Sequence, residues 1–196
     1  MKPCRPSIGY WPGFERVYIY MTTNNQVSKK FAKESRATKI SIVLPPDTNH
    51  HGTMFGGKLM AQIDDVATIS ATRHSRRPVV TASTDSVDFM QPVKLGDSVC
   101  LQSFVTWAGK TSMEVFVKII AENLLTGERK VCTTAFLTFV ALDEDGKPTP
   151  VPKVVPESEL EVQLYETASD RMEVRKKRRN DQAELIKYID TKMSWQ

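Results

Sequence analysis

Apolar residues recur at helical spacing in one stretch in the first half of the chain, beginning at Lys58. Separations of three and four residues predict an amphipathic helix. Ala61 and Ile69 add apolar surface outside the main stripe, which favours a helix covered on most sides. Asp64 falls inside the same pattern, so its carboxylate is expected to point towards an apolar environment. The stripe consists of Leu59, Met60, Ile63, Val66, Ala67 and Ala71.

A period of two replaces this pattern after residues 73–78, and alternation of this kind predicts β-strands. In the first segment, Val80, Ala82 and Thr84 are expected on one face, with Val79, Thr81 and Ser83 on the other. A β-branched run that ends at Pro45-Pro46 predicts a further strand before the helix, because proline cannot continue a ladder. The expected strands are residues 40–44, 79–91, 99–107, 113–119 and 131–142.

One buried helix followed by four consecutive strands indicates an α+β fold, in which an antiparallel sheet is wrapped around a long central helix. Strands do not alternate with helices, so a doubly wound fold is excluded. The chain is divided into an N-terminal extension over 1–34, one folded domain over 35–156 and a charged C-terminal helical tail over 157–196. Met21 is a second candidate for the start of the protein.

The tail places glutamates early and basic residues late, an order that complements the dipole of a helix. Its cluster of arginines and lysines between Arg171 and Arg179 is more typical of a solvated helix face than of a phosphate or RNA site.

Composition narrows the class of protein. The 196 residues carry a formal charge of +4, which fits an anionic ligand but predicts no nucleic-acid partner. Cys4, Cys100 and Cys132 form no C-x-x-C pair, which favours a reducing cytoplasm over a disulfide framework or a zinc knuckle. The chain has no apolar run long enough for a membrane span and no continuous apolar segment typical of a signal peptide.

Gly56 and Gly57 stand where the predicted helix begins, although glycine is unfavourable inside a helix. Glycines there leave the first N–H groups accessible, and the helix dipole favours an anion or a polarised carbonyl beside them. The common hydrolase, nucleotide-binding and zincin motifs are missing. A metal held by His50, His51 and Asp64 is disfavoured, because adjacent loop histidines usually point in different directions.

The segment from Asn49 to Asp64 resembles the hot-dog-fold acyl-CoA thioesterases, specifically the acyl-CoA hydrolase branch. The resemblance covers roughly residues 35–155. It implies two protomers that join their sheets, usually within a trimer of dimers, and an active site at the dimer interface. The matching motifs are Asn-His-His-Gly-Thr-Met-Phe-Gly-Gly-Lys-Leu-Met from 49, Val-Thr-Ala-Ser from 80, Phe89, Pro92-Val93, Gly96-Asp97 and Gly-Lys-Thr-Ser-Met from 109.

The family's catalytic positions match Asn49 from one subunit and Asp64 from the other, with Thr81 as a supporting polar residue. A carboxylate such as Asp64 can act as the base for thioester hydrolysis. The Asn49 amide and the N–H groups of Gly56 and Gly57 can stabilise the oxyanion. Alternatively, Asp64 is a structural hydrogen-bonding carboxylate and Asn49 a turn residue. Asp65 lies on a different helix face and is not expected to act.

Coenzyme A carries phosphates, so its head is expected near basic and turn residues. Candidates are the turn Gly109-Lys110-Thr111-Ser112 and the end of the helix at Arg73 and His74, with residues 175–179 next in line. Lys110 is equally well explained as a solvated lysine at a hairpin tip. Coenzyme A enters only as part of substrate and product, and no separate cofactor is expected.

The predicted function is hydrolysis of acyl-CoA by a cytoplasmic homohexamer in fatty acid metabolism. The alternatives are a hot-dog module that binds or senses acyl-CoA without hydrolysing it and, less favoured, a dehydratase of the same fold.

Overall fold

The computed structural model describes residues 28–192. The expectations about Met21 and about most of the N-terminal extension concern residues outside this range. The helices are α1 (Gly56–Ser75), α2 (Glu159–Glu166) and α3 (Ala168–Ile186), with 3-10 turns at Ala32–Ser35 and Pro45–Asp47. The strands are β1 (Lys29–Phe31), β2 (Ala37–Ile42), β3 (Val79–Phe89), β4 (Ser98–Ala108), β5 (Ser112–Glu122), β6 (Arg129–Ala141) and β7 (Lys153–Val155).

Five strands form one antiparallel sheet in the order β2-β4-β5-β6-β3, with α1 packed on one face. The predicted α+β hot-dog architecture is therefore confirmed. The first strand was expected at residues 40–44, but β2 begins at Ala37 and ends at Ile42. The next residue, Val43, exchanges backbone hydrogen bonds with the turn at Gly96 and Asp97 instead of extending the ladder.

A second, two-stranded sheet pairs β1 with β7 in parallel. It was not predicted, because strands of three residues carry too little alternation to be recognised. The pairing joins residues from the segment assigned to the N-terminal extension with the end of the segment assigned to the folded domain.

Helix α1 buries the predicted stripe against the sheet, with Leu59, Ile63, Val66, Ala67 and Ala71 almost fully covered. A buried pair of hydroxyls fixes its position, since the Ser70 and Ser103 oxygens lie 2.7 Å apart and Ser103 also donates to the Val66 carbonyl. The expectation that α1 is covered on most sides is only partly met within one chain. Met60 and Ile69 remain 46% and 44% exposed.

Strand β3 carries two β-bulges, at Ala82 and Asp85, where its register against β6 shifts. Strict alternation would put Thr81, Ser83 and Asp85 on one face. The bulge at Ala82 changes the phase. Thr81 therefore contacts α1, whereas Asp85 meets the arginines of α3 on the opposite face of the sheet. The prediction that Thr81 and Ser83 share a face is wrong for this reason.

The C-terminal segment forms two helices with a break at Thr167. A capping box begins α2, because the Ser158 hydroxyl accepts from the Glu161 N–H and the Glu161 carboxylate accepts from the Ser158 N–H. Burial alone would raise the pKa of Glu161, but the N–H groups of Glu157 and Ser158 and the Arg36 guanidinium outweigh it and lower that pKa. The cap also ties α2 to the segment before β2.

Candidate active site

Asp64 and Thr81 meet at the open edge of the sheet. Asp64 lies in the middle of α1 and is half-buried, and the Thr81 hydroxyl donates to its Oδ1 at 2.8 Å. Thr81 is exposed on β3, the last strand of the sheet. The expectation that Asp64 faces an apolar interior is therefore not met within one chain. Its carboxylate lies on the sheet's inner face, where β3 has no neighbour on its far side among the described strands.

Asn49 is held in the loop before α1. Its Oδ1 accepts from the backbone N–H of His51 at 2.9 Å, and its Nδ2 donates to the Thr53 hydroxyl at 3.0 Å. Gly52, with φ of +70°, closes the turn in the left-handed region that glycine adopts without strain. This geometry shows Asn49 as a turn residue, while one hydrogen of its Nδ2 stays free for another acceptor.

The structure does not join Asn49 to Asp64. Within residues 28–192, the hydrogen bonds of the Asn49 side chain stay in its own loop and that of the Asp64 side chain goes to Thr81. Thr53, which fixes the Asn49 amide, was not singled out from the sequence. Asparagine side chains commonly hydrogen-bond within their own turn, but the sequence did not indicate which residue would be the partner.

The first turn of α1 borders a cleft of about 340 Å³ between the helix start and the loop after β3. Gly56 and Gly57 begin the helix, and no acidic residue lies in its first turn. Lys58 and Leu59 donate to the Phe55 carbonyl, so the N–H groups that point outward are those of the two glycines. Gly56 and Leu59 line the cleft together with Phe89 and Met90.

Arg73 and His74 do not form the expected surface site. The Arg73 guanidinium donates to the Arg36 carbonyl. His74 is 0% exposed, and its Nε2 lies 2.8 Å from the Pro152 carbonyl oxygen, so the neutral ring donates there. Burial is the main cause that lowers the pKa of His74. The end of α1 is therefore a structural joint between the helix and the segment before β7.

The turn Gly109-Lys110-Thr111-Ser112 connects β4 and β5 as predicted. Two backbone carbonyls of the turn already accept hydrogen bonds. Lys153 Nζ donates to the Gly109 carbonyl at 3.0 Å, and the Val151 N–H donates to the Lys110 carbonyl. Lys110 is exposed and free of any salt bridge found among residues 28–192. Ser112 lines a groove of about 380 Å³, bordered by Trp107 and by Lys176 and Arg179 of α3.

Three of the six basic residues in the tail cluster, Arg171, Arg175 and Arg178, pair with acids of the sheet. Glu114, 1% exposed, accepts from Arg171 at 2.7 Å and from the Thr106 hydroxyl. Asp85 accepts from Arg175 at 2.9 Å and Arg178 at 2.7 Å. Burial raises the pKa of Asp85, but the hydroxyls of Ser83 and Thr138 and the Arg175 charge more than compensate and lower it.

These acid–base pairs were missed because the partners are 57 to 93 residues apart. For Glu114 the available signal was an acidic residue between apolar residues of a buried strand, whereas Asp85 lies among polar residues of β3 and gave no such signal.

The geometry defines a thioesterase-type site of the hot-dog fold, with a carboxylate on the central helix and a glycine-rich helix start nearby. Residues 51–128 match the thioesterase superfamily. Within residues 28–192, no cluster of three acidic, histidine or cysteine side chains is placed to hold a metal ion. No helix in the same part of the chain has both the length and the apolar character that crossing a bilayer requires.

Individual relatives and solved structures point to the same family. The uncharacterised acyl-CoA thioester hydrolase YkhA of Bacillus subtilis is 57% identical over 166 residues, which span 85% of this chain and 96% of that protein. An acyl-CoA hydrolase of Staphylococcus aureus, solved with butyryl coenzyme A, coenzyme A and coenzyme A disulfide, is 48% identical with a TM-score of 0.79. The match covers 82% of this chain and 98% of that one.

An apo-hexameric acyl-CoA thioesterase is 53% identical with a TM-score of 0.76, over 78% of this chain and 97% of its own. The chain therefore belongs to the acyl-CoA thioester hydrolases of the thioesterase superfamily.

Proposed function

We propose that the chain hydrolyses acyl-CoA to free coenzyme A and a carboxylic acid at a site completed by two copies. Asp64 and Thr81 come from one copy and Asn49 from the other. The observation that carries this proposal is the Asp64–Thr81 hydrogen bond on the unpaired edge of the sheet. A second chain paired along β3 would cover this carboxylate and bring new polar groups to it.

The spacing of the three residues supports their roles. Solved variants of the Staphylococcus aureus acyl-CoA hydrolase replace an asparagine, an aspartate and a threonine by alanine, and these positions are separated in order by 15 and 17 residues. Asn49, Asp64 and Thr81 have the same two separations. The asparagine variant of that enzyme was solved with coenzyme A.

The proposed mechanism assigns a role to each group. Thr81 occupies Oδ1 of Asp64, which leaves Oδ2 to take a proton from water as its oxygen attacks the thioester carbon. The carbonyl oxygen gains negative charge and is stabilised by the Gly56 and Gly57 N–H groups and the free Nδ2 hydrogen of Asn49. The carbon–sulfur bond then breaks, and coenzyme A leaves as its thiolate. The thiolate needs little assistance from an acid, because the pKa of a thiol is ordinarily about 8.5.

We extend the proposal to the assembly. The edge of β3 is eleven residues long, and an unprotected edge of that length invites pairing with another chain. Met60 of α1, one turn before Asp64, and Val80 of β3, next to Thr81, leave apolar surface exposed near it. A dimer joined at β3, built into a homohexamer like the apo-hexameric relative, would cover this surface.

The head of coenzyme A is placed in the groove beside the 109–112 turn. Ser112 supplies a hydroxyl inside it, and Lys110, two residues earlier in the same turn, supplies an exposed ammonium. Lys176 and Arg179 line the opposite wall from α3. Phosphates bind to such a combination of ammonium, guanidinium and hydroxyl groups.

The reaction needs no electron carrier, so coenzyme A is the only coenzyme involved, as part of substrate and product. The free thiols of Cys100 and Cys132 support a reducing compartment such as the cytoplasm. Release of a carboxylic acid from acyl-CoA fits a role in fatty acid metabolism.

Release of free thiol from acyl-CoAs of increasing chain length tests the function. We expect turnover by the wild type, almost none by Asp64→Asn and near-normal turnover by Asp65→Asn. A module that only binds acyl-CoA would release no thiol with any of the three proteins, and that result would overturn the proposal.

A further inference from the structure

Helix α3 crosses the sheet towards its β3 edge. Arg171 contacts Glu114 on β5, whereas Arg178 contacts Asp85 on β3, two strands away. Seven helical residues rise about 10 Å, and two strand spacings also measure about 10 Å. The helix therefore runs nearly perpendicular to the strands and reaches the last of them at Arg178.

The remainder of α3 extends beyond this edge. From Arg178 to the helix end at Ile186 the rise is about 12 Å, the width of more than two strands. Burial falls accordingly, since every residue from 176 to 192 is exposed. Arg179 and Gln182 still line a groove with Ala82 and Ser83 of β3, so the part of the helix that leaves the described sheet begins after Gln182.

The side of α3 that faces the sheet changes character where the sheet ends. Arg171, Arg175 and Arg178 lie on that side and pair with the protomer's own acids. The same helical stripe continues through Gln182 to Leu185 and then to Ile189 in the turn that follows. Leu185 is 58% exposed and Ile189 is 60% exposed. The stripe thus becomes apolar where residues 28–192 of its own chain leave it mostly exposed.

We propose that the end of α3 and the residues that follow it, 183–189, lie on a second copy of this chain across the β3 edge, with Leu185 and Ile189 in contact. The inference rests on the β3 dimer proposed above, because that pairing places a second sheet beneath the extended helix. Each protomer would hold its partner with a helix anchored on its own side by the ion pairs of Asp85 and Glu114.

The test is a photo-crosslinking experiment on the full-length chain. A benzophenone amino acid replaces Leu185 in one sample and Val174 in a control. Val174 is also an exposed apolar residue of α3, 69% accessible, but it precedes the edge and borders a groove lined by Ser86 and Phe136 of its own sheet. Mixing chains labelled with light and heavy nitrogen separates crosslinks within a chain from those between chains.

We expect the Leu185 position to yield covalent dimers whose joined peptides combine light and heavy chains and include 79–89, 129–141 or the α3 segment of the second copy. The Val174 position should crosslink within its own chain. Crosslinks from position 185 that stay within one chain, or that reach only peptides remote from the β3 edge, would overturn the proposal.

A second measurement does not depend on the crosslinker. Leu185→Asp with Ile189→Asp should weaken self-association roughly 10- to 100-fold in sedimentation velocity, whereas Val174→Asp should leave it unchanged. Equal association of all three proteins would contradict the inference. The shared active site is assayed separately by mixing Asn49→Ala with Asp64→Ala chains, so restored activity without interchain crosslinks rejects the helix contact alone.

Discussion

The Thr81 hydroxyl donates to Oδ1 of Asp64 at 2.8 Å and so joins the central helix to the edge strand of the sheet. One carboxylate oxygen is thereby fixed, and the other remains available at the edge where a second chain would bind. The bulge at Ala82 makes this possible, because it turns Thr81 towards α1 while Asp85 faces α3.

Replacing the proposed base should abolish most of the activity. Asp64→Asn is expected to lower kcat roughly 10²- to 10⁴-fold, because general-base catalysis contributes about that much. Asp65→Asn is the matched control, since Asp65 is exposed and pairs with Lys39 at 2.8 Å on another face of α1. Steady-state thiol release measures both. Equal loss in the two variants would remove Asp64 from the mechanism.

Subunits with complementary defects should restore activity when mixed. Asn49→Ala is expected to lose about 10²- to 10³-fold, because it removes an oxyanion donor. If Asn49 and Asp64 of one site come from different chains, mixed Asn49→Ala and Asp64→Ala subunits form some intact sites. Activity is measured after dissociation and reassembly, with each variant alone as the control. Mixtures no more active than their components would show that the site is not shared.

Loss of the ammonium at the turn should weaken substrate binding without slowing the chemistry. Lys110→Ala is expected to raise KM for acyl-CoA several-fold and leave kcat unchanged, because a phosphate contact acts in ground and transition states alike. The effect should shrink at high salt, which screens exposed charges. Lys147→Ala, on an exposed loop, is the control. An unchanged KM at low ionic strength would shift the phosphate site to the α3 wall of the groove.

Removal of Arg171 should destabilise the protein more than removal of an exposed arginine. Arg171→Ala leaves the buried Glu114 carboxylate without its main partner, and breaking such a pair costs about 3–5 kcal/mol. Arg129→Ala removes the exposed pair with Glu122 and should cost less than about 1 kcal/mol. Urea unfolding at a fixed protomer concentration compares them. Similar losses would show that Glu114 does not depend on Arg171.

Stability should decrease as the pH falls through the range in which histidine titrates. Burial lowers the pKa of His74 in the folded protein, so below the ordinary value of about 6.5 the unfolded chain binds a proton that the folded chain does not. His74→Gln removes this contribution, whereas the exposed His50 and His51 are retained. Unfolding between pH 8 and 5 should show a shallower dependence for the variant. Parallel curves would contradict the assignment.

The sequence predicts the parts of this molecule that follow a local pattern. The period of α1 and the alternation of four long strands place the main elements, and the segment from Asn49 to Asp64 carries the family resemblance. The bulge at Ala82 leaves no mark in that alternation, so the face of Thr81 could not be assigned. His74 was expected with Arg73 as a candidate contact for the head of coenzyme A, but it is buried and bonded to the Pro152 carbonyl, 78 residues away.

Charge pairs between residues far apart in the chain cannot be predicted from local spacing. Arg171 and Arg175 appear within a run of basic residues, and a run of this kind normally indicates a solvated face. Their partners lie in two different strands, Glu114 between apolar residues of β5 and Asp85 between Thr84 and Ser86 of β3. Only the crossing of α3 over the sheet brings these groups together, and no local spacing encodes that crossing.

The two bulges of β3 also affect how far assembly can proceed. A regular edge strand accepts another strand in many registers and can start an open-ended, fibre-like stack. The bulges at Ala82 and Asp85 break the repeat of the β3 backbone, so few alignments can satisfy its hydrogen-bonding groups. In the proposed dimer, pairing of two identical β3 edges would use up both of them, and only the shorter edges at β2, six residues long, would remain for any further growth of the sheet.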